Sequence, residues 1–583
     1  MASVRTCCLL LLGLWWAVPA RGAAPPEVQL SLMHLREGER ERATEALGPL
    51  ERLPLYLAEL ELDPEGRTVQ GRVRLRLFAG ASGLTEVLLR ATPNAASARA
   101  LRIHEVQVNG QPAKVEQPEP TLFRVAPAQP VPAGEEVTVS FELEARVPRA
   151  AESSGTLSGL LSGGGSQRGD HGAFSAAADV VSLAGVFPGL VPKDAQGTPF
   201  AGPTGIGDLG LYAPANYLVS ISVPSSWRAL ATGVALGEVP DRTGKTRFSF
   251  GAAAVRDFPV LAVRGFEQLT AQAGTITVES HFSAPNRAAG KQALGVAVDA
   301  LVALEQRLGP LPWKVFRVVE APLDGGAGGM EFPGLVTISR ALYQAATPGG
   351  SPAAAALQQV KDTLAAQGLG NLAFPDLGGM MRQTLEFTVA HEVAHQYFAA
   401  LVGSDPVQHP AVDEALAQHA ALLVLEWTRG AEAADAVRQS QLVTAYQFYR
   451  LGGGRDGPAD RPTGAFEGEL EYGALVYGKA PLLHDAERRL LGDKAYFAGM
   501  RAYVQDYRHR WALPDSYTGT LARLNPKHAG ALRRLRQRWL SEAHGDEDLG
   551  TADLGALLKS VGGSSIPAET LELLQQFLQQ AGP

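Results

Sequence analysis

Residues 391–395 read His391-Glu392-Val393-Ala394-His395, and eighteen residues separate His395 from Glu414. On a helix His391 and His395 are four apart and share one face. Two imidazole nitrogens so placed can bind one zinc ion, and Glu392, one step round the helix, can reach a water there. Catalytic zinc takes three protein ligands and keeps one position open. Glu414 is the candidate third ligand, giving one zinc ion per chain.

The flanking residues predict a buried helix. Leu385, Phe387, Val389 and Ala390 precede the motif, and Tyr397, Phe398, Leu401 and Val402 follow it. Imidazoles and carboxylates carried inward need partners, and a metal supplies one. A rival zinc layout places a glycine three residues after the second histidine and a third histidine three further on. Phe398 and Leu401 occupy those positions and exclude it. His409, beside Pro410, reads as a solvated loop residue. His419, five residues past Glu414, lies on another face and reads as structural.

The 583 residues suffice for three or four domains, and 45% hydrophobic with 19% charged residues fit a globular protein. Residues 1–22 read as a secretory signal peptide: Arg5, then an apolar run Cys7–Val18 too short for a membrane span, then small residues. No later stretch reads as a membrane span. Both cysteines lie in that segment, so the mature chain would carry no disulfide, which fits a secreted or periplasmic bacterial enzyme better than an animal ectodomain. Removing Arg5 and Arg21 takes the formal charge from −8 to −10, which argues against a nucleic-acid partner.

Residues 23–50 read as a leader arm with a short helix. From 51 to 265 the period becomes two. Val73, Leu75 and Leu77 alternate with arginines, and Val137, Val139, Phe141 and Leu143 alternate with Thr, Ser and Glu. Asn109-Gly110 marks a hairpin. An antiparallel β-rich N-terminal domain is expected there, with a Ser/Gly-rich loop at 152–173. Beyond 266 a helix over 288–308 and a strand over 315–319 precede the glycine-rich run Gly325-Gly326-Ala327-Gly328-Gly329. Residues 341–382 read as an Ala/Gly/Pro-rich insertion and 430–583 as mainly helical, with 506–583 a separate C-terminal region.

Gly328-Gly329-Met330-Glu331-Phe332 resembles the Gly-x-Met-Glu motif of the gluzincin zinc aminopeptidases related to aminopeptidase N and leukotriene hydrolase. That family also has the two histidines, an eighteen-residue gap and a glutamate, then a Tyr-x-Lys-Gly element that Tyr477-Gly478-Lys479-Ala480 resembles. Gly207-Asp208 through Tyr217, and Arg256-Asp257-Phe258, resemble landmarks of its β domain. The resemblance spans about 51–505. It implies a multidomain fold: a β-rich N-terminal domain, a thermolysin-like α/β catalytic domain over 266–505 and a helical C-terminal region. It implies hydrolysis of peptides with a free N-terminus. Glu392 would act as general base, Tyr477 would donate to the oxyanion, and Glu331 would bind the substrate amine beside Gly328, Gly329 and Met330. Tyr472 reads as structural, and Lys479 as an outer or solvent charge.

This sequence departs from the family pattern in places. Ala411-Val412-Asp413-Glu414-Ala415 replaces Trp-x-x-Glu-Gly, and Phe332 replaces the usual Asn. Ala177-Ala178-Asp179 stands before Phe187-Pro188 where the family has Gln-x-Glu, so Asp179 is a candidate second amine anchor. An endopeptidase and a non-catalytic peptide-binding scaffold remain open readings.

Overall fold

The computed structural model describes residues 24–150, 171–193, 197–200, 202, 205–207, 210–324, 326–347 and 376–550. The signal segment, most of the 152–173 loop, Asp208, Gly325, most of the 341–382 stretch and the last 33 residues lie outside the described residues.

Residues 55–263 form an eight-stranded sheet and two four-stranded sheets. The alternation read from sequence is realised in Thr68–Phe78, where Val69, Val73, Leu75 and Leu77 are buried and the arginines between them face outward. Asn109 and Gly110 both take positive φ, at 51° and 75°, and join Leu101–Val108 to Gln111–Pro112 as a two-residue hairpin. One pairing departs from the antiparallel expectation: Leu55–Asp63 runs parallel to Ala215–Pro224. A period of two specifies strands and their faces but not the direction of a neighbour 160 residues away.

Residues 24–53 carry two α-helices, Pro26–Leu32 and Glu39–Leu47, and a short 3-10 turn, Leu50–Arg52, where the sequence suggested a single short helix on an arm. Val28, Leu32 and Leu35 fall at i, i+4 and i+7 and pack with Leu50, Leu55 and Ala253. Leu35 bridges to Trp313, Arg36 donates to the Leu311 carbonyl at 2.9 Å, and Glu39 pairs with Arg508. The segment thus ties the β-rich part to the part that carries the zinc motif.

From Phe266 a five-stranded sheet begins, in the order Phe266–Ala273, Ile276–Ser283, Val315–Ala321, Leu335–Ser339, Gly329–Phe332. The middle three strands are parallel, and the helix Arg287–Leu308 forms the first crossover between them. Gly329–Phe332 is an antiparallel edge strand, with Glu331 opposite Val336. The motif helix, Leu377–Ala394, begins inside the stretch read as an insertion. Asp376 caps it by accepting from Gly379 N at 2.9 Å. Its two early glycines hide a helix start from a reading by propensity. Short helices fill residues 431–549, and three turns among them are π-helical: Arg438–Val443, Gly473–Lys479 and Gln537–Ser541. Among the described residues no helix is long and apolar enough to cross a membrane.

Candidate metal centre and active site

His391 and His395 close the motif helix, and Glu414 opens the helix Glu414–Arg429 that packs beside it. The His391 and His395 Nε2 atoms are 3.0 Å apart, and Glu414 Oε2 lies 3.4 and 3.2 Å from them. Ligand atoms about 2.05 Å from a tetrahedral zinc would stand about 3.3 Å from one another. The triangle therefore fits one ion. His395 Nδ1 donates to the Phe398 carbonyl at 2.8 Å, which leaves the Nε2 lone pair for a metal. No other group of three His, Cys, Asp or Glu with this spacing occurs among the described residues.

The electrostatics favour the ligating forms of His391 and Glu414, while at His395 the surrounding carboxylates favour a positive charge that a bound cation would replace. Burial, then the neighbouring His395, pushes His391 below its ordinary value and keeps it neutral. Burial favours a protonated Glu414, but His395 and His391 outweigh it and hold the carboxyl far below the usual range. His395 is disfavoured as a cation by burial, yet the charges of Glu331, Glu414 and Glu392 raise it well above its ordinary value. Three carboxylates around a buried pair of imidazoles form a site that calls for a cation.

Glu392 is buried and faces the edge strand, where a β-carbon on Gly329 would collide with its carboxylate. Met330 and Phe332 point to the other face and pack with Val180, Leu261 and Val319, which fastens the strand to the β-rich part. Gly328 O accepts from Ser339 N at 2.8 Å. Glu331, on the Glu392 side by alternation, is close enough for its charge to act on both His395 and Tyr477. Tyr477 sits in the π-helical turn Gly473–Lys479 with its ring centroid 6.0 Å from that of His391. Burial, then the Glu414 charge, holds its hydroxyl well above its ordinary value, so it is a donor at neutral pH.

Asp179 precedes the strand Val180–Leu183 and is gripped by the Arg340 fork at 2.9 and 3.1 Å, while Arg340 Nε donates to the buried Glu320 at 2.6 Å. His409 pairs with Asp460 at 3.1 Å and His419 with Asp485 at 3.2 Å, both outside the triad. Tyr472 packs edge-on against Tyr477 and Phe466. Tyr217 and Phe258 stack at 5.0 Å in the core of the β-rich part.

Three groups around the site were not read as buried partners from the sequence. Gln396 accepts from Gly334 N at 2.8 Å and donates to Phe332 O at 3.1 Å, joining the motif helix to the edge hairpin. Gln418, one turn past Glu414, donates to the Tyr477 carbonyl at 3.2 Å. Lys479, read as an outer or solvent charge, is fully buried. For Gln396 and Gln418 the only signal was an amide adjoining buried motif positions.

Neither a scan against protein-family profiles nor a search of curated proteins yields a match. Solved structures do match. The M1 zinc metallopeptidase from Deinococcus radiodurans is 18% identical, with 84% of this chain and 94% of that chain covered at a TM-score of 0.54. A mutant of the Deinococcus radiodurans enzyme bound to a Tyr-Ser-Ala substrate is 19% identical, with 85% and 95% covered at 0.53. A two-domain M1 zinc metallopeptidase mutant bound to L-arginine is 18% identical, with 84% and 94% covered at 0.55. The chain has the M1 zinc metallopeptidase fold. Identity this low establishes the architecture alone. Within this fold the motif helix, the edge strand and the π-helical turn bring the triad, Glu392, Glu331 and Tyr477 together.

Proposed function

We propose that the chain is a zinc-dependent aminopeptidase that removes single residues from peptide N-termini. The observation that carries the reading is the placement of Glu331 on an edge strand whose backbone, at Gly329, lies against Glu392, beside the triad. An extended peptide can run along such an edge. A carboxylate at that position can hold an α-ammonium group and so fix the first peptide bond opposite the base.

His391, His395 and Glu414 would hold the ion, which when bound supplies carbonyl polarisation and acidifies the attacking water. Glu392 takes the water's proton on its carboxylate and returns it to the leaving nitrogen. Tyr477, kept protonated by burial, donates a hydrogen bond to the developing oxyanion. Glu331 anchors the amine, with Gly328, Gly329 and Met330 shaping the strand. Asp179 enters this proposal as a second anchor only if the amine displaces Arg340 from it. Export through residues 1–22 belongs to the same proposal and is checked by N-terminal sequencing of chain recovered outside the cell.

The test uses one short fluorogenic peptide, free and N-acetylated, with zinc restored or chelated, and Glu392→Gln as control. Chelator-sensitive cleavage of the free-amine peptide alone is expected. Equal cleavage of the acetylated form would make the chain an endopeptidase. Cleavage of neither would leave a binding scaffold.

A further inference from the structure

Lys479 lies two residues beyond Tyr477 and shows no exposed surface. Its ammonium spends all three donors on fixed acceptors: Asp456 Oδ1 at 2.9 Å, Gly457 O at 3.0 Å and Glu542 O at 2.7 Å. The other Asp456 oxygen accepts from Gly545 N at 2.7 Å. Next to Gly545, Asp546 accepts from Tyr446 Oη at 2.9 Å and takes the Arg450 fork at 2.9 and 2.6 Å. A chain segment about 65 residues downstream is thereby fastened to the turn that carries Tyr477.

The turn needs such fastening. π-Helical turns are short and rare, and they recur at functional sites. Besides the aromatic rings around it and the hydrogen bond of its hydroxyl to Glu414, Tyr477 is held through its carbonyl by Gln418 on the Glu414 helix. At Gly478 a β-carbon would stand 3.0 Å from Leu442 O, a tight contact. Lys479 is the charged end of this set, and a buried ammonium with three acceptors is costly to disturb in part.

We infer that Lys479 is a positioning residue for Tyr477: with Asp456 as its counter-ion, it locks the π-helical turn onto the segment 542–546 and so sets where the tyrosine hydroxyl stands over the metal triad. The role rests on the aminopeptidase reading above, in which Tyr477 donates to the oxyanion. Misplacing a catalytic group by about 1 Å costs about 100-fold, so the ammonium acts on turnover and not on substrate affinity.

The experiment is a double-mutant cycle on the full chain, wild type, Lys479→Met, Tyr477→Phe and the pair, with free-amine peptide. Hydrogen exchange of residues 473–480 and 542–546 is read alongside. Lys479→Met is expected to lower kcat by about 10- to 100-fold with KM held within about twofold. It should add little further loss in the Tyr477→Phe background, and exchange should rise in both segments while the helix Leu377–Ala394 stays protected. Asp456→Asn, which keeps an oxygen for Gly545 N, should give the same pattern and serves if Lys479→Met fails to fold. Losses that add in the cycle, or unchanged exchange at 473–480, would overturn the inference. A wild-type chain that cleaves no peptide would instead overturn the aminopeptidase reading, and the exchange data alone would then decide whether Lys479 holds the turn.

Discussion

The backbone of Gly329 runs so close to the carboxylate of Glu392 that a β-carbon on the glycine would overlap the glutamate oxygens. Glycine at 329 is therefore demanded by where the Glu392 side chain stands. Gly329→Ala should displace Glu392 and lower kcat about 100-fold, while the zinc content of the purified chain stays at one per chain because the ligands lie elsewhere. Steady-state kinetics and metal analysis on the same preparation check this. A variant that turns over normally would mean that Glu392 adopts another position during the reaction.

Glu331 and Asp179 are both carboxylates that the sequence offered for the substrate amine, and the structure treats them differently. Asp179 is engaged by the Arg340 fork, whereas the Glu331 charge acts on His395 and Tyr477. Loss of a charged hydrogen bond costs about 2 kcal/mol, roughly thirtyfold in kcat/KM. Glu331→Gln should show that loss for free-amine peptide. Asp179→Asn should stay within about threefold of wild type, since its charge is already neutralised. A loss for Asp179→Asn as large as that for Glu331→Gln would mean that the amine displaces Arg340.

The contrast marks what could be read from the chain alone. His391, His395 and Glu414 were legible as a group because two histidines four apart share one helix face and a glutamate follows, and the structure brings the three together; Glu331 was singled out only by the resemblance of Gly328-Gly329-Met330-Glu331 to a family motif. The burial of the motif helix was legible in Leu385, Phe387, Val389 and Ala390, all of them buried. The partner of Asp179 was not legible, because Arg340 is 161 residues away and nothing local marks it. The parallel pairing of Leu55 with Asn216 and the π-helical turn under Tyr477 were hidden for a similar reason. Each is fixed by tertiary packing, which periodicity does not encode.

Stability should fall in mild acid. His34 and His509 are buried, and burial with nearby Arg317 for His34 and Arg508 for His509 lowers each to about 3. A folded value below the unfolded one means the unfolded chain binds protons first. The stabilisation is complete above about pH 6.5 and declines as pH falls toward about 3, by up to about 1.4 kcal/mol per pH unit for each histidine. Urea midpoints of the zinc-loaded chain at pH 8 and pH 5 should therefore differ. His34→Phe, which can retain the stacking on Trp313, should remove part of that difference. An unchanged difference would assign the acid sensitivity to other groups.

Arg256 carries a buried guanidinium into the junction between the β-rich part and the turn after the motif helix. Its Cζ lies 4.1 Å from the Trp511 ring centroid, and its Nη2 donates to the Arg510 carbonyl at 2.9 Å. Burial alone lowers it to about 9, with no carboxylate contributing. On its open side stands Gly403, where a β-carbon would come within 2.5 Å of Cζ. Two opposite outcomes follow. Gly403→Ala overfills the junction and should destabilise by about 1–3 kcal/mol. Arg256→Met keeps the packing volume and removes an uncompensated buried charge, so its stability should lie within about 1 kcal/mol of wild type or above it. Denaturant unfolding of the three proteins at one pH decides the matter. A severe loss for Arg256→Met would show that the bond to Arg510 and the stack on Trp511 outweigh the cost of burying the charge.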